Sequence, residues 1–262
     1  KTDYDIKIRR NYMKYTKAPI SEVIFGVVYT KQKLSSDDIF FLNGHFKNQF
    51  PLLEILSPLV IENLNGFQLL PNLDPLLSGP LLLRRRSSDN KWLLQIQSNT
   101  IYLNWIRNDS ESVGNYIGYS AVYKQFVCIL DSIKEILNIN MYEDINMLDL
   151  SYGDRIDWQR YIPELSKVND LINISTPPIF SKEGYNNLFA KYTYEDSELN
   201  GFGLVNINTA TSIQGSQVIK IETVLRGNLK GFTFTTWFEE AHKKQSFIFE
   251  NLFTDNLKKE WL

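Results

Sequence analysis

Three consecutive arginines, Arg84-Arg85-Arg86, are the densest basic run in a chain of 262 residues whose formal net charge is −2. On a strand, Arg84 and Arg86 share one face and Arg85 takes the other, because side chains alternate. Two guanidinium groups side by side suit a phosphate or an acidic partner. They also suit a sheet edge, where charge discourages pairing with another chain. The segment Lys1–Lys17 is basic and polar, and Tyr4, Tyr12 and Tyr15 are interleaved in it. Its rings could add stacking to a phosphate contact. Arg84, Arg85, Arg86, Tyr12 and Tyr15 are therefore the candidate binding residues.

The remaining chemistry is sparse. Two histidines and one cysteine leave no paired-cysteine or H-E-x-x-H spacing for a metal. His45 reads as a surface or half-buried helix histidine, and His242 as a donor in a structural hydrogen bond. A catalytic role for either would need a partner from another segment. Cys128, flanked by Val127, Ile129 and Leu130, reads as a buried, inert thiol. Asp149, Asp154 and Asp157 are the best carboxylate cluster for a hard cation, but Gly153 between them suggests a bulge. Glu22 lies inside an apolar strand, so it should pair with a cation or mark a sheet edge. No phosphate-binding glycine loop and no nucleophile elbow occurs. These residues name no cofactor, no metal and no catalytic centre.

The elements that must position these residues are easier to read. Hydrophobic residues make up 43% of the chain and charged ones 22%, the composition of an ordinary globule. No apolar run approaches the roughly 20 residues that span a bilayer, and the charged start has no apolar core of a signal peptide. A single cysteine fits a reducing cytoplasm.

Glu22–Thr30 reads as a buried strand. Ser35 caps a helix over Asp37–Phe50 that Pro51 ends. Residues 58–80, rich in proline and glycine, read as a loop with a short strand at Phe67–Leu70. Leu81–Arg86, Trp92–Gln97 and Ile101–Arg107 read as an antiparallel group, and Tyr116–Leu137 as a long amphipathic helix. After Asn138–Glu143 the same order returns. Asn146–Asp154 is a strand and Ile162–Ile172 a connection. Leu188–Tyr194, Gly203–Thr209 and Val218–Leu225 are strands, and Phe238–Leu257 is a helix. This order predicts an α+β fold of two related halves, 18–140 and 141–262, after an arm at 1–17. Their strands should form one curved or continuous sheet covered by the long helices.

The segment Lys17-Ala-Pro-Ile-Ser-Glu-Val-Ile-Phe-Gly-Val27 resembles the P-P-(I/L)-x-E-V opening of a family of uncharacterised bacterial proteins of about this length, found sporadically across species. Trp92–Asn99 with Leu103-Asn104-Trp105 is similar to its "LLQLQPDRF…NW" segment. Tyr119 to Phe126 resembles its helix start, and Ala241-His242 with Phe249–Asp255 its C-terminus. Ala18 replaces the family's usual proline. The family brings no established activity. Its patchy distribution is similar to that of mobile-element and phage-defence genes. With that resemblance, the expectation is a non-enzymatic binding or sensor subunit of a bacterial system such as phage defence, recognising a protein or nucleic-acid partner, the protein being the product of a neighbouring gene or a second copy of itself, and no membrane. The alternative is a nucleic-acid-binding module using the Arg84–Arg86 strand and the arm, and third comes a metal-dependent hydrolase.

Overall fold

In a computed structural model, the described residues are 15–56, 82–107, 116–175, 187–212 and 215–262. They form one nine-stranded, wholly antiparallel open sheet with helices on it. In chain order the elements are β1 (Ile20–Tyr29), α1 (Ser36–His45), β2 (Leu52–Leu56), β3 (Leu82–Arg86), β4 (Trp92–Gln97), β5 (Thr100–Ile106) and α2 (Tyr119–Leu137). They continue with β6 (Ile145–Ile156), β7 (Phe189–Asp196), β8 (Gly201–Thr211), β9 (Gln217–Gly227), α3 (Phe234–Leu252) and α4 (Asp255–Lys259). Two short 3-10 turns, Trp158–Arg160 and Leu165–Asp170, take the place of a second-half helix.

The strand order is β2-β3-β4-β5-β1-β6-β9-β8-β7. β1 and β6 are the central pair. Outward from β1 come β5, β4, β3 and β2; outward from β6 come β9, β8 and β7. Among the described residues, β2 has no counterpart in the second half. The sequence reading missed it because Leu52-Leu53-Glu54-Ile55-Leu56 lacks the polar alternation of a half-buried strand. The expected strand at 67–70 lies outside the described residues.

Local chemistry sets the helix ends. At α1, the Ser35 hydroxyl accepts from the Asp38 N–H while the Asp38 carboxylate accepts from the Ser35 N–H, which satisfies two orphan donors reciprocally. Thr233 and Thr236 do the same at α3. α2 ends on Asn138 at φ 53°, a left-handed residue that asparagine tolerates. The last helix starts four residues earlier than its sequence pattern predicts, and it breaks at Phe253, where Thr254 caps α4.

One face of the sheet carries the core. Phe25 lies in register with Leu103 and Leu150, Leu103 with Leu94, and Leu150 with Leu225. All five are buried, in one cluster with the inward residues of α1, α2 and α3. Phe25 is its centre, with the rings of Tyr119, Tyr123, Phe126 and Phe238 at 5.1–5.8 Å. Each fully buried large side chain contributes about 1.5–3 kcal/mol of transfer free energy, so this face holds both long helices to the sheet. Gln245 of α3 locks the contact. Its amide donates to the carbonyls of Leu150 (2.9 Å) and Thr223 (3.0 Å), and its oxygen accepts from the Thr223 hydroxyl (2.6 Å). A second cluster joins Ile156, Ile207, Ile219 and Ile221 to Phe253, Leu257 and Trp261. Leu130 is fully buried, as its helical spacing predicts, and Phe249 is half-buried beside this second cluster. Cys128 is exposed, because its position on α2 falls just outside the inward stripe.

Candidate functional site

Among the described residues, no helix packs its buried side chains on the opposite face of the sheet. That face is written in cross-strand rows. One row crosses all nine strands: Glu54, Arg84, Gln95, Tyr102, Gly26, Asp149, Arg226, Phe202 and Glu195. Tyr102 explains the glycine. A Cβ at residue 26 would sit 2.1 Å from the Tyr102 ring, so the ring lies flat across the β1 backbone.

Arg84 and Arg86 do share this face. Both reach Glu54 of β2, at 3.5 and 3.2 Å. Arg85 points the other way and is 4% exposed. It donates to Asn43 Oδ1 and to the Phe50 carbonyl, both at 2.7 Å, and so ties β3 to α1 and the turn after it. Tyr15 is also inside the fold: its hydroxyl donates to Glu250 (3.1 Å), and its ring packs on Phe249 and Trp261. Tyr12 lies outside the described residues. The structure thus brings Arg84 and Arg86 together and separates Arg85 and Tyr15 from them.

The three aspartates part company as well. Asp149 is buried on the helix-free face and holds Arg226 at 2.6 Å. Asp154 follows the helix-side alternation, in register with Ile221. Asp157 pairs with Arg160. β6 runs straight through Gly153 against β9, and the irregularity lies in β1 instead, between Ile20 and Glu22. Among the described residues, no three His, Cys, Asp or Glu side chains converge on a point where a metal could sit.

At this irregularity the helix-free face opens into a polar cleft of about 370 Å³. Glu22, Ser151, Gly153, Asn206, Asn208, Lys220 and Glu222 line it, together with Arg155. Arg107 and Asp154, from the helix-side alternation, also line it. The cleft belongs to both halves of the sheet, since β1 and β5 meet β6, β8 and β9 there. Glu22 lies on a central strand, and its partner is an amide: Asn104 Nδ2 donates to it at 2.7 Å, and Gln95 supports Asn104 at 3.1 Å. Burial raises the Glu22 carboxyl above the usual carboxylate range. The Asn104 bond opposes that shift and the neighbouring Glu222 charge adds to it. Burial also lifts Asp154 to about 7, with Arg107 opposing. A cleft with convergent polar groups and displaced acidities is where a binding function is expected.

A second polar group lies under α3. His242 stacks on Tyr119 with ring centres 3.9 Å apart, and its Nδ1 meets the Tyr152 hydroxyl at 3.2 Å. Tyr152 in turn meets Tyr116 at 3.2 Å. Burial pushes His242 down to about 4, which keeps the ring neutral. The sequence placed His242 in a structural hydrogen bond, and the partner at its Nδ1 is the Tyr152 phenol. His45 sits on the exposed side, where Nε2 meets the Ser132 hydroxyl.

Sequence reasoning missed the cleft. Its residues lie on five strands, and only their register assembles them. The local signals were Glu22, a carboxylate in an apolar strand, and the Gly153-Asp154 pair, which pointed to a bulge and a cation cluster instead. Neither a family model nor a curated protein matches this chain. Among the described residues, no helix is long and apolar enough to cross a membrane.

Proposed function

We propose that this chain is a non-enzymatic binding subunit that recognises a protein partner through the helix-free face of its sheet. The observation that carries the reading is the one-sided distribution of the helices. Among the described residues the core face packs against α1–α4, while the other carries rows of charged and amide side chains around a polar cleft, buried at Asn104, Asp149 and Ser151 and exposed at Thr193, Lys220 and Glu222. A surface of this kind gives a partner specific hydrogen bonds and complementary charges.

The nucleic-acid reading finds less support. On that face Arg84 and Arg86 share Glu54, and Arg226 holds Asp149, so three cations carry a net charge of about one, which offers phosphate little attraction. The same architecture supports an internal duplication. Each half sets its first strand at the centre, and its last strand pairs beside that first strand. A 19-residue helix follows in each half, and in the second half the short α4 comes after it.

The test uses the chain co-expressed with the product of a neighbouring gene. Asn208→Trp and Lys220→Trp place bulk on the helix-free face, and Lys124→Trp places it on the exposed side of α2. Titration calorimetry should show at least a tenfold loss of affinity for the first two and none for the third. Loss only with Lys124→Trp would move the partner to the helix side.

A further inference from the structure

Among the described residues the sheet ends on β2 and β7. The outer edge of a strand carries unpaired N–H and C=O groups, a template for another strand, and proteins guard such edges with proline, bulges or charge. β7 has neither proline nor bulge. It runs in unbroken register with β8, from Phe189 opposite Asn208 to Asp196 opposite Gly201. Its middle, Lys191–Glu195, is exposed throughout, and Tyr192, Thr193 and Tyr194 are residue types that favour strands.

The two exposed charges of β7, Lys191 and Glu195, are opposite in sign and share the helix-free face. Their spacing fits a copy of the same strand. In an antiparallel ladder, residues directly opposite each other play the same hydrogen-bonding part. Successive residues point their N–H and C=O groups to opposite sides. A strand that pairs with its own copy therefore sets odd residues against odd and even against even, and the two-fold axis falls at one residue. With the axis at Thr193, Lys191 faces Glu195 of the second copy, and Glu195 faces its Lys191. Tyr192 then faces Tyr194 of the second copy, again twice. Opposite charges and aromatic rings placed directly across strands stabilise a sheet. An axis at Tyr192 or Tyr194 leaves both charges facing uncharged side chains, and an axis at Lys191 or Glu195 sets like charges together. Lys191 also makes a contact within its own chain, and an ammonium has three donors to share. β2 lacks this complementarity. With an axis at residue 53, 54 or 55, Glu54 would face a leucine or itself, and it already serves Arg84 and Arg86.

We infer that β7 pairs with β7 of a second copy about a two-fold axis at Thr193, joining two nine-stranded sheets edge to edge. Side chains directly opposite in a ladder lie on the same face, so the helices of both copies fall on one side and the two helix-free faces run on as one surface. This contact lies at the sheet edge, apart from the proposed partner-binding face. Contacts that bury less than about 1,200 Å² are those of reversible pairs, and one strand edge is of that kind. The dimer is therefore expected at ~100 µM chain and dissociated at ~1 µM. Partner binding to the helix-free face is read at the lower concentration, on the single chain, so either result can fail without the other.

Sedimentation velocity of the full chain, from ~1 to ~200 µM, should show a monomer giving way to a dimer. Lys191→Glu and Glu195→Lys each set like charges across the axis at both symmetric pairs, and each should weaken self-association at least tenfold. Mixed in equal amounts, the two variants restore both pairs and should dimerise as the wild type does. Both positions are exposed, and the thermal midpoint confirms that each variant has folded. Cross-linking gives a second readout. In a Cys128→Ser background, Thr193→Cys places two thiols across the axis on Cα atoms about 4.5–5.5 Å apart, within reach of a disulfide. Oxidation at ~100 µM, where the dimer is expected, should link it, while Lys124→Cys on α2 stays monomeric. A wild-type chain still monomeric at ~200 µM would overturn the inference. So would self-association that either charge variant leaves unchanged, variants that fail to complement when mixed, or cross-linking no faster at residue 193 than at residue 124.

Discussion

Asp154→Asn isolates a buried carboxyl of the sheet whose acidity is strongly displaced. In the folded chain burial holds the Asp154 carboxyl near 7, against 3.8 for an exposed aspartate. At about 1.4 kcal/mol per pKa unit, that rise corresponds to about 4 kcal/mol. The protonated acid is the form the fold prefers. Its contribution is therefore complete below pH 3.8 and is lost progressively as pH rises to about 7. About 3 kcal/mol of the loss falls between pH 5 and pH 8. Arg107 is the cation facing the group, and Tyr152 is the phenol whose acidity it disturbs. An asparagine cannot ionise, so the variant lacks this pH dependence, whatever constant offset the amide introduces beside Arg107. Urea denaturation of both proteins at pH 5, 6, 7 and 8 gives the difference directly. Wild type should lose about 3 kcal/mol relative to Asp154→Asn across that range. Parallel curves would show that Asp154 ionises alike in the folded and unfolded chains, and the argument from burial would fail.

The remaining predictions concern the core and the opposite pH limb. His242 is neutral in the fold and held near 4, so its contribution is present above 6.5 and lost as pH falls through 4. His242→Gln should flatten the acid limb of stability by roughly 3 kcal/mol, read by the same denaturation series. Leu130→Ala, at a fully buried position of α2, should cost about 2–5 kcal/mol; a shift in midpoint no larger than that of an exposed substitution would mean the inward stripe is misplaced. Gly26→Ala should destabilise the sheet because Tyr102 occupies the space its methyl needs. Combining it with Tyr102→Ala should recover part of that loss in a double-mutant cycle.

Much of the fold was legible because strands and helices advertise themselves locally. Period-2 and period-3.6 patterns gave the long helices and eight of the nine strands to within a few residues. β2 escaped because an apolar edge strand of five residues has no alternation to detect. Cys128 was misjudged because apolar sequence neighbours on a helix need not share its face. The arginine run shows the same limit more sharply. Alternation put Arg84 and Arg86 on one face and Arg85 on the other, but nothing local says that Arg85 enters the interior to meet Asn43 and Phe50. The Asp149, Asp154 and Asp157 spacing looked like a cluster and came apart into two ion pairs, with Arg226 and Arg160, and one buried carboxyl, because a continuous strand sends neighbouring side chains to opposite faces. The cleft was invisible for the converse reason: Glu22, Gly153, Glu222 and Asn206 are far apart in sequence and meet only through the register of four strands.

Thiol footprinting tests most directly whether the helix-free face is the side that binds. With Cys128→Ser as background, single cysteines at Thr193, Asn208 and Lys220 report that face, and a cysteine at Lys124 reports α2. Iodoacetamide labelling rates are compared for the chain alone and with the co-expressed partner bound. The account predicts that the three sheet positions slow at least tenfold in the complex while Lys124 is unchanged. Slowing at Lys124 with unchanged rates on the sheet would contradict it.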